Sequence, residues 1–183
     1  MPGKKLLSKG LPVADMQSWL DRICERRGCR LWEFAQEIGI DERTIRRWKN
    51  GMSGVNRCDI AGIYYLSGEK EVGIWRLDEM LGWFEMQRGL SLRKIVQMQK
   101  RRGFGSSCST SIYSVGDWLD SICEYYCITK RELAEYLDVT LQTLLRWRHG
   151  KTRITRCRLA GIFYLIGEDR WRFEDLMLMT GVE

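Results

Sequence analysis

The sequence predicts an all-α fold built from two similar small helical domains of four to five helices each. Three observations carry this. Shifted by 99 residues, the chain aligns on itself without a gap, and 21 of the 51 positions from Trp19 to Glu69 are identical in the two copies. Within each copy, apolar residues recur three and four apart, the spacing that places them on one face of a helix. The breaks between these stretches hold Gly, Asp, Ser and Thr, which cap or end helices. The period is too long for a solenoid, and two copies are too few. The chain therefore divides into a basic arm (1–14), a first domain (15–82), a connector (83–113) and a second domain (114–183).

The arm carries Lys4, Lys5 and Lys9. Arms of this kind sometimes follow DNA, but more commonly stay solvated. Asp15 can cap a first helix with Met16, Trp19, Leu20, Ile23 and Cys24 on one face, and Gly28 ends it. In the second copy Ser114 is the cap, and Val115, Trp118, Leu119, Ile122 and Cys123 form the face. A second helix spans about 31–38, with Phe34, Ala35 and Ile38 inward. Its counterpart opens on a capping box, Thr129 with Glu132 three residues on. The first copy keeps Glu33 but has Arg30 at the cap, a weaker start. Trp32 matches Arg131 at an outward position; we read it as packing over the core edge rather than meeting a partner or DNA.

Gly39 supplies the next turn, and Asp138, its counterpart, also tolerates a left-handed backbone. Asp41 and Thr140 cap a third helix. Ile45 and Trp48 point inward from it, matched by Leu144 and Trp147, and Gly51 and Gly150 stop it. A fourth helix covers 57–66 and 156–165. Each copy has Ala-Gly within it, although Gly costs about 1 kcal/mol against Ala inside a helix. That repeated cost predicts another helix packed closely at this point. A short fifth helix is expected at 75–83 and 172–179. In the connector, 91–102 forms an amphipathic pattern with Leu92, Ile95 and Val96 on one face. Arg88, Arg93, Lys94, Lys100, Arg101 and Arg102 surround it without a balancing acid, a pattern that suits phosphate. The Gly/Ser-rich run 103–111 follows as a flexible linker.

Composition narrows the class. Thirty basic against 24 acidic residues give +6 and a pI near 9.0, a mild lean toward a polyanionic partner. No apolar run reaches the roughly 18 residues of a membrane helix, and the basic start lacks the apolar core of a signal peptide. A cytoplasmic protein associated with the nucleoid is expected. Seven cysteines without a Cys-x-x-Cys pair, recurring inside helix patterns, read as buried free thiols. The single His149 has no second imidazole with which to share a metal, so no metal site and no cofactor are expected. No nucleophile–base pair and no phosphate-binding loop can be placed, which argues against an enzyme, and no small-molecule substrate is evident.

The residues around the second and third helices carry a resemblance. Glu33-Phe34-Ala35, Ile38-Gly39-Ile40, Thr44-Ile45, Arg47-Trp48 and Gly51 resemble the phage-repressor (Cro and Xre) helix-turn-helix family. So do Thr129, Glu132-Leu133-Ala134, Leu137, Val139, Thr143-Leu144, Arg146-Trp147 and Gly150. Arg30 at the first cap and Asp138 at the second turn depart from the family, which prefers a small residue at that turn. The resemblance implies two tandem lambda-repressor-like units that bind double-stranded DNA, most simply as a transcriptional regulator, with repression favoured. It also implies that the third helix enters a major groove.

The base-reading positions it implies are Glu42, Arg43, Arg46 and Arg47, and then Leu141, Gln142, Leu145 and Arg146. Arginine pairs with guanine O6 and N7, glutamine with adenine, and leucine with a thymine methyl. Glu42 would accept from cytosine or simply favour the helix N-terminus. Phosphate contact falls to Lys49, Asn50, Arg57, Lys130, Arg148, His149, Lys151, Arg153 and Arg156. The second copy is the more basic: 130–158 holds eight Lys and Arg against three acids, 30–57 six against four. Unlike recognition helices imply unlike half-sites, spaced by about 10 base pairs or a multiple. A homodimer or a protein partner is compatible with the same residues. The rival class is an adaptor, antitoxin or inhibitor of the same fold that acts through protein contacts, with eight tryptophans as its sticky face.

Overall fold

A computed structural model of the chain describes residues 16–72, 77, 113–167 and 171–181. The basic arm with Asp15, the connector's helix at 91–102 and, apart from Leu77, the helix expected at 75–83 lie outside them. The described residues are mostly helical and contain no strand. In order they form α1 (Met16–Arg27), α2 (Leu31–Glu37), α3 (Glu42–Lys49), α4 (Arg57–Leu66) and α5 (Glu69–Val72). The second copy gives α6 (Val115–Tyr125), α7 (Lys130–Leu137), α8 (Leu141–Arg148), α9 (Arg156–Ile162) and α10 (Phe173–Thr180).

The helix starts follow from their caps. The side chains of Ser114, Thr129, Thr140 and Thr155 accept from the backbone N–H three residues on. Asp41 accepts from Arg43 and Thr44, and Asn56 from Asp59. At α2 only half of this device exists: the Glu33 carboxylate accepts from the Arg30 backbone at 2.6 Å, and no side chain caps the other way. The turn after α2 is left-handed at Gly39 (φ 70°), and Asp138 takes the same backbone (φ 58°) after α7. Each copy then closes over one apolar core. Trp19, Leu20, Ile23, Phe34, Ile38, Ile45 and Trp48 are buried in the first, and Trp118, Leu119, Ile122, Leu133, Leu137, Leu144 and Trp147 in the second. Each such side chain contributes about 1.5–3 kcal/mol by leaving water. Trp32 does not join them. It remains 44% exposed, because its place on α2 faces away from the buried Phe34 and Ala35.

Two elements differ from expectation. The fourth helix of the second copy is α-helical only to Ile162 and continues as a π-helical segment, Phe163–Gly167. This wider turn accompanies an aromatic cluster in which Phe163 lies 5.4 Å from Phe173 and 5.5 Å from Tyr65. The first copy stops α4 at Leu66 and adds the four-residue α5, tied back to α1 by Arg26, which binds Glu69 at 2.5 Å and the Ser67 carbonyl at 2.8 Å.

The largest contact between elements joins the copies: α4 packs on α9. The two glycines make this possible. A Cβ at Gly62 would lie 1.9 Å from the Cys157 carbonyl oxygen, and one at Gly161 would lie 1.9 Å from that of Cys58. The contacts occur in pairs with roles exchanged. The Cys58 thiol donates to the Arg158 carbonyl at 3.3 Å, and the Cys157 thiol to that of Asp59 at 3.4 Å. Tyr64 meets Tyr164 and Tyr65 meets Phe163, both at 5.5 Å. Such exchange marks a two-fold relation, here between copies of one chain. Cys58 belongs to the second copy's core and Cys157 to the first's.

Candidate nucleic-acid interface

The α3 and α8 helices each have a buried and an open side. Ile45 and Trp48 anchor the first, Leu144 and Trp147 the second, all inside the cores. The remaining positions face outward. Glu42, Arg43, Arg46 and Arg47 are exposed on α3. Leu141, Gln142 and Arg146 are exposed on α8, with Leu145 half-buried. All eight sequence-predicted base-reading positions thus lie on the outer side of their helix.

The two faces carry different chemistry on one frame. On α3, Arg46 reaches back one turn and binds Glu42 through Nε at 2.9 Å and Nη2 at 2.6 Å. The matching pair on α8 is Leu141 and Leu145, apolar and unable to form an ion pair. Arg47 and Arg146 occupy the same position, and among the described residues neither has an acidic partner. An open depression beside α3 is lined by Arg43, Arg46, Arg47, Glu42, Asn50 and Met52. Met52, 70% exposed, has no place among the sequence-predicted site residues; a lone methionine in a turn gives no signal in the sequence.

Compared with protein-family models, curated proteins and solved structures, the chain has no match in any of the three. Its own geometry therefore carries the functional argument.

The residues expected at phosphate divide into two sets. Asn50, His149 and Lys151 are exposed beside the ends of α3 and α8, with His149 Nε2 3.4 Å from Arg148 Nη1. The others are engaged within the protein. Lys49 pairs with Asp21 of α1 at 2.5 Å. At the equivalent place Arg148 holds Asp120 through Nε at 2.9 and 3.0 Å and Nη2 at 2.9 Å, and Lys130 adds a contact at 3.1 Å. Hydrogen bonds from Arg148 hold the Asp120 carboxyl below the usual carboxylate range, and the same pairing raises Arg148. These side chains are anchored at the feet of the third helices by Asp21 and Asp120, carboxylates with which any outside anion would have to compete. Arg153 donates to the Gly181 carbonyl.

Arg57 and Arg156, expected to reach phosphate, turn instead toward the other copy. Arg57 is 9% exposed and donates to the Tyr136 carbonyl, while Arg156 donates to the Glu37 carbonyl at 3.4 Å. Both close the C-terminal end of the opposite second helix, where orphan carbonyls attract a cation. Burial places Arg57 beyond a phosphate's reach. Arg158, also part of the second copy's basic excess, is committed to Asp59 at 3.0 Å. Among the described residues the six cysteines are free thiols, and burial pushes those of Cys58 and Cys157 well above the usual thiol range. Among the described residues no helix is long and apolar enough to cross a membrane.

Proposed function

We propose that the chain binds double-stranded DNA through two helix-turn-helix units, each of the lambda-repressor-like kind, and acts as a transcriptional regulator, with repression favoured. The observation that carries this is the pairing of Arg47 with Arg146. Both project from the open face of a third helix and lack an acidic partner among the described residues, and a two-fold relation links the frames that hold them. A helix fits a major groove, and an unpartnered arginine there is suited to guanine O6 and N7. Gln142 adds an adenine reader and Leu141 a methyl contact on the second unit alone, while Arg46 is partly neutralised by Glu42 on the first. The target this describes is a pair of unlike half-sites.

Selection of bound duplexes from a random pool tests the reading. The expected result is an enriched bipartite sequence with different halves, and an affinity that falls steeply with salt because phosphate contacts release counterions. Failure to enrich any sequence would sink it. The protein-partner reading draws on exposed Trp32; under it, Arg47→Ala and Arg146→Ala would leave biological activity intact.

A further inference from the structure

The α4–α9 contact contains one pair that breaks its own symmetry. Over the ten residues of α4 and their counterparts, 57–66 and 156–165, seven are identical, and Ile60/Leu159 and Tyr64/Phe163 are near-isosteric. The remaining difference is Asp59 against Arg158, equivalent under the 99-residue shift. These two touch each other: Arg158 Nε donates to Asp59 Oδ1 at 3.0 Å, and Nη2 reaches Oδ2 at 3.5 Å. A position that touches its own equivalent sits astride the two-fold axis. If the first copy paired with another first copy, two Asp59 carboxylates would meet there. If second paired with second, two Arg158 guanidinium groups would meet. The site is deep enough for this to matter, since Asp59 is 1% exposed. Burial raises its pKa against the pull of Arg158, so an uncompensated carboxylate would be costly there.

Several of the closest contacts are indifferent to which copies meet. Gly62 and Gly161, Cys58 and Cys157, and Tyr65 and Tyr164 are the same residues in both copies and would fit a self-pair equally well. We propose that the Asp59–Arg158 pair is a pairing code: it makes the first copy take the second as its partner and bars either copy from pairing with its own kind. The discrimination works by repulsion in the wrong pairs as much as by attraction in the right one. It does not depend on what the outer faces bind. The environment is ready for the reverse assignment too. Arg158 lies over the Trp147 ring at 5.5 Å, and Trp48 is the equivalent ring for an arginine at position 59. Asn56, whose side chain accepts from the Asp59 backbone, has Thr155 in the matching role.

The test uses the full chain carrying a protease site within 103–111. The chain is folded and then cut, and the halves are left to exchange before native mass spectrometry. In the wild type, mixed first–second dimers should outnumber self-paired dimers at least about tenfold, the ratio expected of 1.4 kcal/mol or more. Asp59→Arg or Arg158→Asp alone should abolish the mixed dimer. Asp59→Arg combined with Arg158→Asp should restore it, and mixing the two cut single variants should form it from the first half of one and the second half of the other. The neutral combination Asp59→Asn with Arg158→Gln avoids buried like charges and should form mixed and self-paired dimers in similar amounts. Self-paired dimers or lone halves from the wild type, or a neutral variant as selective as the wild type, overturn the proposal.

Discussion

The first copy ties its third helix to its first by Lys49 on Asp21; the second uses Arg148 of its third helix on Asp120, and Lys130 of its second helix joins the same carboxylate. The first starts α2 with half a capping box, the second starts α7 with a complete one. The first offers Glu42 and Arg46 outward, the second Leu141 and Leu145. In the cores the copies hardly differ: Trp48 answers to Trp147, Ile45 to Leu144, Cys58 to Cys157. Packing inside a close-packed core tolerates few changes, whereas an outer face is free to change with what it meets. A duplicated domain is therefore expected to diverge outside more than inside, and among the described residues the buried Asp59, facing Arg158, is a charged departure that lies on the axis.

The comparison breaks most easily where the copies meet. Gly62→Ala or Gly161→Ala should each destabilise by about 3 kcal/mol, because a new Cβ overlaps a carbonyl of the other copy and the helices must part. Gly51→Ala or Gly150→Ala should cost only about 1 kcal/mol, since nothing lies within 4 Å of either and only the positive φ is strained. Urea unfolding of the four variants settles this; equal losses would mean that the helices are not in tight contact. On the outer faces, Arg47→Ala and Arg146→Ala should each weaken binding to a selected duplex by about 2 kcal/mol, and each should relax specificity in a different half of the site. Footprints that change identically in the two variants would contradict separate readers.

The caps give a smaller contrast. Thr129→Ala should destabilise by about 1 kcal/mol, whereas Arg30→Thr should stabilise by a few tenths or more by completing the first copy's box. Circular dichroism melts would show it as opposite shifts in midpoint. Similar in size is the acid response of the second copy. The Asp120 carboxyl is held low by Arg148, so its stabilising pairing is present at neutral pH and is lost as pH falls below about 4, through the depressed value. The pair is part-exposed, so Asp120→Asn should cost about 1 kcal/mol at pH 7. The cost should vanish at pH 2; a difference that persists there would point to lost packing, not lost charge.

Much of each copy was legible in the sequence because its signals are local. The capping residues, the left-handed turn at Asp138 and the inward tryptophans depend on neighbours within one or two turns. The glycines inside the fourth helices were legible as a close approach. What approaches them was not, because periodicity says which side of a helix is buried and nothing of whose helix covers it. The placement of Arg57 fails for the same reason: a basic residue at a helix start looks free for phosphate until the other copy's Tyr136 carbonyl is brought to it. Trp32 stays exposed for a like reason: its bulk suggests cover for a core edge, but spacing alone does not say whether a neighbour lies over it. The π-helical segment accompanies packing of Phe163 and Phe173 against Tyr65 of the other copy, a contact across about a hundred residues that the local sequence does not show. On α3 and α8 the inward residues Ile45, Trp48, Leu144 and Trp147 followed from helical spacing, whereas the outward set was named through the family resemblance. The neutralisation of Arg46 by Glu42 was there to be read, since the two stand four apart.

One consequence of the α4–α9 contact concerns dilution. A dimer of separate subunits falls apart when its concentration drops below its dissociation constant, and anything that needs both subunits then responds to the square of the amount present. Tethered partners see each other at a fixed effective concentration, in the millimolar range for short flexible linkers, however few molecules there are. A ligand that must touch both copies would therefore find them in a fixed one-to-one ratio, and its occupancy would rise in simple proportion to the number of chains.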